Sequence, residues 1–188
     1  MTRRGAIFLD RDGVINAPSI GRYISRWDQF RFLPDVLKTF RRLRKRGDRV
    51  IVISNQSGVG RGHMTKQELT RITQNMLAEI RKNGGHLEAV YYCTHHPDKG
   101  CRCRKPHPGL LTKAAGRFPI DLKKSFFIGD SETDILAGRS AGCRTILVLT
   151  GRHTKATAKH LVTQPHRISA NLTQAIRWID QQRRKESL

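Results

Sequence analysis

A chain of 188 residues with a 37% hydrophobic share is long enough for one domain with a real core. Thirty-six basic against fifteen acidic side chains give a formal charge of +21. That balance favours anionic partners (phosphorylated metabolites, nucleic acid, an anionic membrane surface) and equally fits a solvated basic face that only aids solubility. No segment is apolar enough to span a bilayer, and MTRRGAIFLDRD has no stretch suited to a signal sequence, so the expected compartment is the cytoplasm. Four cysteines in reduced surroundings point to metal binding or core packing before disulfides.

Five short apolar runs, rich in β-branched or aromatic residues, predict buried strands at 6–9, 50–54, 89–92, 125–129 and 145–149. After the first, Val36, Leu37, Phe40 and Leu43 form a helical stripe behind Asp35, with KTFRRLRKR leaving a basic outer face. After the second, Thr65 and Glu68 predict a capping box, Leu69, Ile72, Met76 and Ile80 a helical stripe, and Gly84-Gly85 its end. Further helices are predicted near 108–117, 133–141 and 171–184. Strands alternating with helices define an α/β, Rossmann-like doubly wound domain over residues 1–184 with a mostly parallel sheet, followed by a frayed polar tail at 185–188. Its site belongs at the carboxyl ends of the strands.

Of only ten aspartates, Asp10 and Asp12 follow the first strand and Asp130 and Asp134 the fourth. Together they make a pocket too negative to stand without a cation, and oxygen-only ligands suit Mg2+. SNQSGVGRG (54–62) supplies a hydroxyl at Ser54, glycines at 58, 60 and 62 that allow close backbone approach, and the Arg61 fork; this reads as a phosphate cradle or as a plain turn. Lys105 follows the third strand's loop and reads either as a neutraliser of phosphate charge, in company with these groups, or as a plain exposed lysine.

Cys93-x-His95 and Cys101-x-Cys103 offer four soft or borderline ligands, the number for a closed tetrahedral Zn2+ site in the loop 93–103, with His96 as a substitute ligand. The metal would be structural, and it would fix Arg104 and Lys105 beside the acidic pocket. Cys143 reads as a small core residue.

The order DRDGVIN, SNQSG, RKPHPG and GDSETD resembles the four motifs of the haloacid-dehalogenase superfamily of phosphatases, across residues 10–134. That resemblance implies a sheet of the same type and catalysis through an aspartyl-phosphate. It assigns Asp10 as nucleophile, Asp12 as acid and base, and Ser54 and Lys105 as stabilisers of the phosphoryl group. It places Mg2+ on the Asp10 side chain, the Asp12 carbonyl and Asp130, and leaves Asp134 either to hold the metal's waters or to cap the next helix.

The C-x-H…C-x-C loop before RKP narrows the resemblance to the heptose-bisphosphate and histidinol-phosphate phosphatase subfamily. Residues Ser54, Asn55, Gln56, Arg61, Arg104 and Lys105 are then the substrate contacts. The implied reaction is Mg2+-dependent removal of the 7-phosphate of D-glycero-D-manno-heptose 1,7-bisphosphate in heptose nucleotide precursor synthesis, by a monomer acting on a small phosphorylated sugar without membrane insertion. Histidinol phosphate and nucleic-acid ends are the alternative substrates; the sparse aromatics provide no stacking platform for nucleic acid. No insertion is large enough for a separate cap domain, so the zinc loop and NAPSIGRY (16–23) are the expected substrate-selecting loops. Tyr23 is either a pocket wall or a packed aromatic.

Overall fold

The structure is a computed structural model that describes residues 4–19 and 22–186. The five apolar runs become β1 (Ile7–Leu9), β2 (Val50–Asn55), β3 (Ala89–Cys93), β4 (Phe126–Gly129) and β5 (Arg144–Val148), each within a residue or so of the expected bounds. A sixth strand, β6 (Arg167–Ser169), extends the sheet by parallel pairing with β5. With one apolar residue in three it carries no sequence signal of its own. The order is β3-β2-β1-β4-β5-β6 and every pairing is parallel.

Parallel neighbours require crossovers, and the α-helices supply all but the β5-to-β6 link, the last of them following β6. They are α1 (Val36–Lys45), the single turn α2 (Ser57–Gly60), α3 (Lys66–Lys82), α4 (Gly109–Arg117), α5 (Glu132–Ser140) and α6 (Leu172–Glu186). Successive strand residues face opposite layers. Ile7 and Leu9 of β1 join Val50 and Val52 of β2 under α1, α3 and α6, whereas Phe8, Ile51 and Ile53 join Leu111 and Ala114 of α4 on the other face. Both faces being buried explains why the strands read as continuous apolar runs rather than as alternation.

The chain winds outward from β1 to β3 and then returns to place β4 on the other side of β1. The carboxyl ends of β1 and β4 therefore flank the switch point of the sheet, where such folds leave a crevice. Helix α6 continues through Glu186, so Lys185 and Glu186 are helical rather than frayed; Ser187 and Leu188 lie outside the described residues. The reason is its anchorage to α1: Asp180 accepts from Arg42 at 2.5 Å and also pairs with Arg46, and Arg183 reaches Asp48 at 2.5 Å.

The capping box at α3 is reciprocal. Glu68 N donates to Thr65 Oγ1 at 3.1 Å, and Thr65 N donates to Glu68 Oε2 at 2.6 Å. Replacing Thr65 with Ala is expected to lower unfolding stability by about 1 kcal/mol in a urea titration while leaving enzymatic turnover unchanged.

Candidate active site

Asp10 continues β1 by one residue, its N–H donating to the Ile128 carbonyl of β4 at 2.9 Å, and this aims the side chain into the crevice. Lys105 arrives from the loop after β3. Its Nζ lies 2.9 Å from Asp10 Oδ1 and 2.5 Å from Asp134 Oδ1, and it donates to the Ile53 carbonyl at 3.1 Å. The lysine is only 3% exposed. Burial alone would favour its neutral form, but Asp10 and Asp134 outweigh that and hold its pKa above the usual lysine value. Asn55 fixes the lysine's backbone from both sides: Lys105 N donates to Asn55 Oδ1, and Asn55 Nδ2 donates to Lys105 O, each at 3.1 Å.

Asp130 follows β4 and is held between two glycine backbones. A Cβ on Gly13 would stand 2.4 Å from Asp130 Oδ2, and one on Gly151 would stand 2.0 Å from it. Arg152 N donates to the same oxygen at 3.1 Å. Burial, then the charges of Asp10 and Asp134, push the Asp130 carboxyl up to about 8. Burial likewise lifts Asp10 to about 6, against the pull of Lys105. These acids resist sharing the crevice as anions without a cation, and their all-oxygen donor set fits Mg2+.

Asp134 is otherwise engaged. Its Oδ2 accepts from Asp130 N at 3.2 Å, from Ser131 N at 3.0 Å and from Ser131 Oγ at 2.6 Å, while Oδ1 takes Lys105. Of the two roles open to it, the structure shows the capping one.

Asp12 stands on the next pocket wall with its carboxylate saturated by donors. Arg11 Nη2 reaches both oxygens at 2.9 and 3.0 Å, Asn16 Nδ2 reaches Oδ1 at 2.9 Å, and Gln56 Nε2 reaches Oδ2 at 2.7 Å. Burial opposes ionisation, but the Arg11 guanidinium and the two amides prevail and hold Asp12 below the ordinary carboxylate range. Gln56 also donates to Ser54 Oγ at 3.1 Å, so one amide ties the hydroxyl to the carboxylate.

These groups open into a cavity of about 850 Å³ whose lining includes Arg22, Arg61, Arg104 and Arg152. Sequence reading singled out Arg61 and Arg104 but missed Arg22 and the pair Gly151-Arg152. For the latter the one cue is its place shortly after β5; the residue types themselves record no role. Tyr23 is both wall and packed aromatic: it lines the cavity and stacks on His63 at 5.1 Å. Ile20 and Gly21 of the NAPSIGRY stretch lie outside the described residues.

The glycines after β2 are required by packing. A Cβ on Gly58 would meet Met64 and Tyr23 at 2.9 and 3.0 Å, and one on Gly60 would meet His96 N at 2.3 Å. Gly62 instead supplies a positive φ of 74°. Close packing of α2 against the two neighbouring loops is what requires small residues here.

Cys93, His95, Cys101 and Cys103 converge with all ligand atoms within 4.8 Å of one another. Cys93 Sγ lies 3.5 Å from Cys101 Sγ and 3.4 Å from Cys103 Sγ, and His95 Nδ1 lies 3.2 Å from Cys103 Sγ. Ligands about 2.3 Å from a central Zn2+ stand about 3.5–3.8 Å apart at the corners of a tetrahedron, whereas a disulfide closes to about 2.05 Å. The donor set fits zinc. His96 turns away, its Nδ1 accepting from Asp98 N at 3.3 Å. Cys143 is buried in the core cluster beneath α4.

Comparison with known proteins agrees with this geometry. A family model described as HAD-hydrolase-like matches residues 102–175. The chain is 35% identical over 181 residues to the D-glycero-beta-D-manno-heptose-1,7-bisphosphate 7-phosphatase of Helicobacter pylori, covering 95% of this chain and 99% of that protein. It is 36% identical over 180 residues to the enzyme of the same name from Escherichia coli, covering 92% and 93%. Among solved structures, the D,D-heptose 1,7-bisphosphate phosphatase of B. bronchiseptica, complexed with magnesium and phosphate, superposes with a TM-score of 0.89 at 34% identity, covering 95% of this chain and 99% of that one. The chain belongs to the HAD-like hydrolases, in the family of the heptose-bisphosphate phosphatases.

The grip on Asp130 leads to a measurable consequence. Gly151→Ala forces the carboxylate aside, so divalent-cation affinity measured by calorimetry is expected to fall at least about tenfold. The circular dichroism spectrum is expected to stay that of the parent.

Proposed function

We propose that this chain removes the 7-phosphate of D-glycero-D-manno-heptose 1,7-bisphosphate by way of a phosphoryl group carried on Asp10. The observation that carries this reading is the Asp10–Lys105 pair at the switch point, with Asp12, Ser54 and Asp130 around it and arginines at the mouth. The names of the relatives supply the sugar.

In the first half-reaction an Asp10 carboxylate oxygen attacks phosphorus in line, and the bond from phosphorus to the sugar oxygen breaks. Lys105 and Ser54 hold the equatorial oxygens as charge spreads over them. Asp12 gives its proton to the departing alkoxide and is left as carboxylate. In the second half it takes a proton from water, whose oxygen attacks the same phosphorus and frees Asp10 and phosphate. The free enzyme's low Asp12 pKa matches this second role; an arriving phosphate dianion raises it toward the first.

Mg2+, held by Asp10, Asp130 and the Asp12 carbonyl, would neutralise phosphate charge when bound. Asn55 and Gln56 keep Lys105, Ser54 and Asp12 in register, while Arg61 and Arg104 grip the hydroxyls or the phosphate that stays. Zn2+ held by Cys93, His95, Cys101 and Cys103 would close the loop that ends at Lys105.

A panel of heptose 1,7-bisphosphate, histidinol phosphate and a 3′-phosphorylated oligonucleotide is expected to rank the heptose first by kcat/KM. Preference for either other substrate overturns the sugar assignment. Asp10→Asn is expected to lower kcat at least about a thousandfold with an unchanged fold, and retained turnover removes Asp10 as nucleophile. Metal analysis of the purified protein is expected to find about one zinc per chain, and its chelation to expose residues 94–104 to protease while the sheet survives.

A further inference from the structure

The heptose site uses few of the chain's cations, and the fold collects many of the others at the opposite pole. Each helix after a parallel strand runs back toward the amino ends of the strands, so the carboxyl ends of α1, α3 and α6 point away from the cavity. Eight lysines and arginines stand in the last turns of these three helices. The three ends are joined. Arg41 lies against the α3 terminus, where a Cβ on Gly84 would meet its Cδ at 3.3 Å, and the Arg42–Asp180 and Arg183–Asp48 pairs clamp α1 to α6.

Those clamps also engage two of the local acids, while Glu79 of α3 accepts from the Asn83 amide. Asp48 and Asp180 are occupied by Arg42, Arg46 and Arg183. Arg41, Arg44, Lys45, Arg81, Lys82 and Arg184 remain exposed. Each helix terminus offers only about half a negative charge, so the three together offset fewer than two of these cations. Placing like charges this close is unfavourable until an anion arrives.

We propose that this pole is a docking surface for the phosphodiester backbone of a nucleic-acid duplex, separate from the phosphatase site. Arginine forks suit phosphate oxygens, and a surface without exposed aromatic rings reads backbone charge and not bases. An anionic membrane fits less well, because stable membrane docking adds apolar insertion. The only large hydrophobic side chain exposed among the described residues is Val162, and it lies at the other pole, its N–H donating to Glu132 at the start of α5. A duplex bound here is not the substrate, since the cavity faces the opposite way.

The test is fluorescence anisotropy of the intact chain with a labelled 20-base-pair DNA duplex at 50 and 200 mM salt. For roughly six phosphate contacts, affinity is expected to fall about a thousandfold between the two. The combined variant Arg44→Glu, Lys45→Glu, Arg81→Glu, Lys82→Glu is expected to lower the salt slope by about four units while phosphatase activity stays at the parent level. Gln at the same four positions gives a milder loss and guards against misfolding of the charge-reversed protein. A control with four reversals elsewhere (Lys66→Glu, Lys113→Glu, Lys155→Glu, Lys159→Glu) carries the same net charge and is expected to keep most of the binding. An equal loss in the control, no binding at 50 mM salt, or tighter binding to phosphatidylglycerol vesicles at equal phosphate overturns the proposal.

Discussion

One buried ammonium organises the carboxyl end of the sheet. Lys105 sits between Asp10 and Asp134 with its third donor on the Ile53 carbonyl, so both aspartates face a cation that water does not screen. Removing one partner from such a buried pair costs about 3–5 kcal/mol, because the charge left behind is uncompensated. The same proximity ties Asp10 to Asp134, whose other oxygen caps α5 and so sets where Asp130 leaves β4. The proposed nucleophile, the helix cap and the proposed cation ligand thus belong to one electrostatic unit, and none of them is free to drift alone.

That unit depends on a loop that the sheet does not hold by itself. Residues between β3 and α4 have no sheet pairing, yet Lys105 must be placed to within a few tenths of an ångström. Three contacts achieve this. The Cys/His cluster closes the loop, Gly60 of α2 lies flush against the backbone of residues 94–96, and Asn55 grips the backbone of Lys105 from the end of β2. The soft-ligand cluster is therefore a positioning device set beside a hard-ligand site. Sulfur donors in one and carboxylates in the other would separate two metals by chemistry as well as by place.

The sheet was legible because each central strand is buried on both faces, which forces an apolar run, and because the crossover helices carry apolar stripes, with a cap at α3. Thr65–Glu68 and Ile72–Met76–Ile80 are examples. β6 was not legible: Arg167, Ile168 and Ser169 acquire strand character only from the edge that β5 offers. The site was legible where chemistry demands a residue type, as with aspartates at strand ends or paired soft ligands. It was illegible where a residue acts through its backbone or through packing. Gly151 matters because a Cβ would strike Asp130, and Arg152 because its N–H meets the same carboxylate; nothing in the local pattern TGR records either contact. The glycines of GVGRG are a related case, since close approach shows in sequence while the approaching group does not.

The distribution of charge completes the picture. An α/β sheet of this topology sends strand ends and helix starts to one pole and helix ends to the other. Acids gather at the first pole, where Lys105 offsets Asp10 and Asp134 and a divalent cation would offset the rest. Cations at the second pole are favoured by helix dipoles, but only up to about half a charge per helix. The chain carries more than that at α1, α3 and α6, and it spends Asp48 and Asp180 on holding helices together rather than on neutralising the surface. A net charge of +21 is therefore not spread as a uniform coat. Part of it gathers at the helix-end pole, where the phosphatase reaction has no use for it.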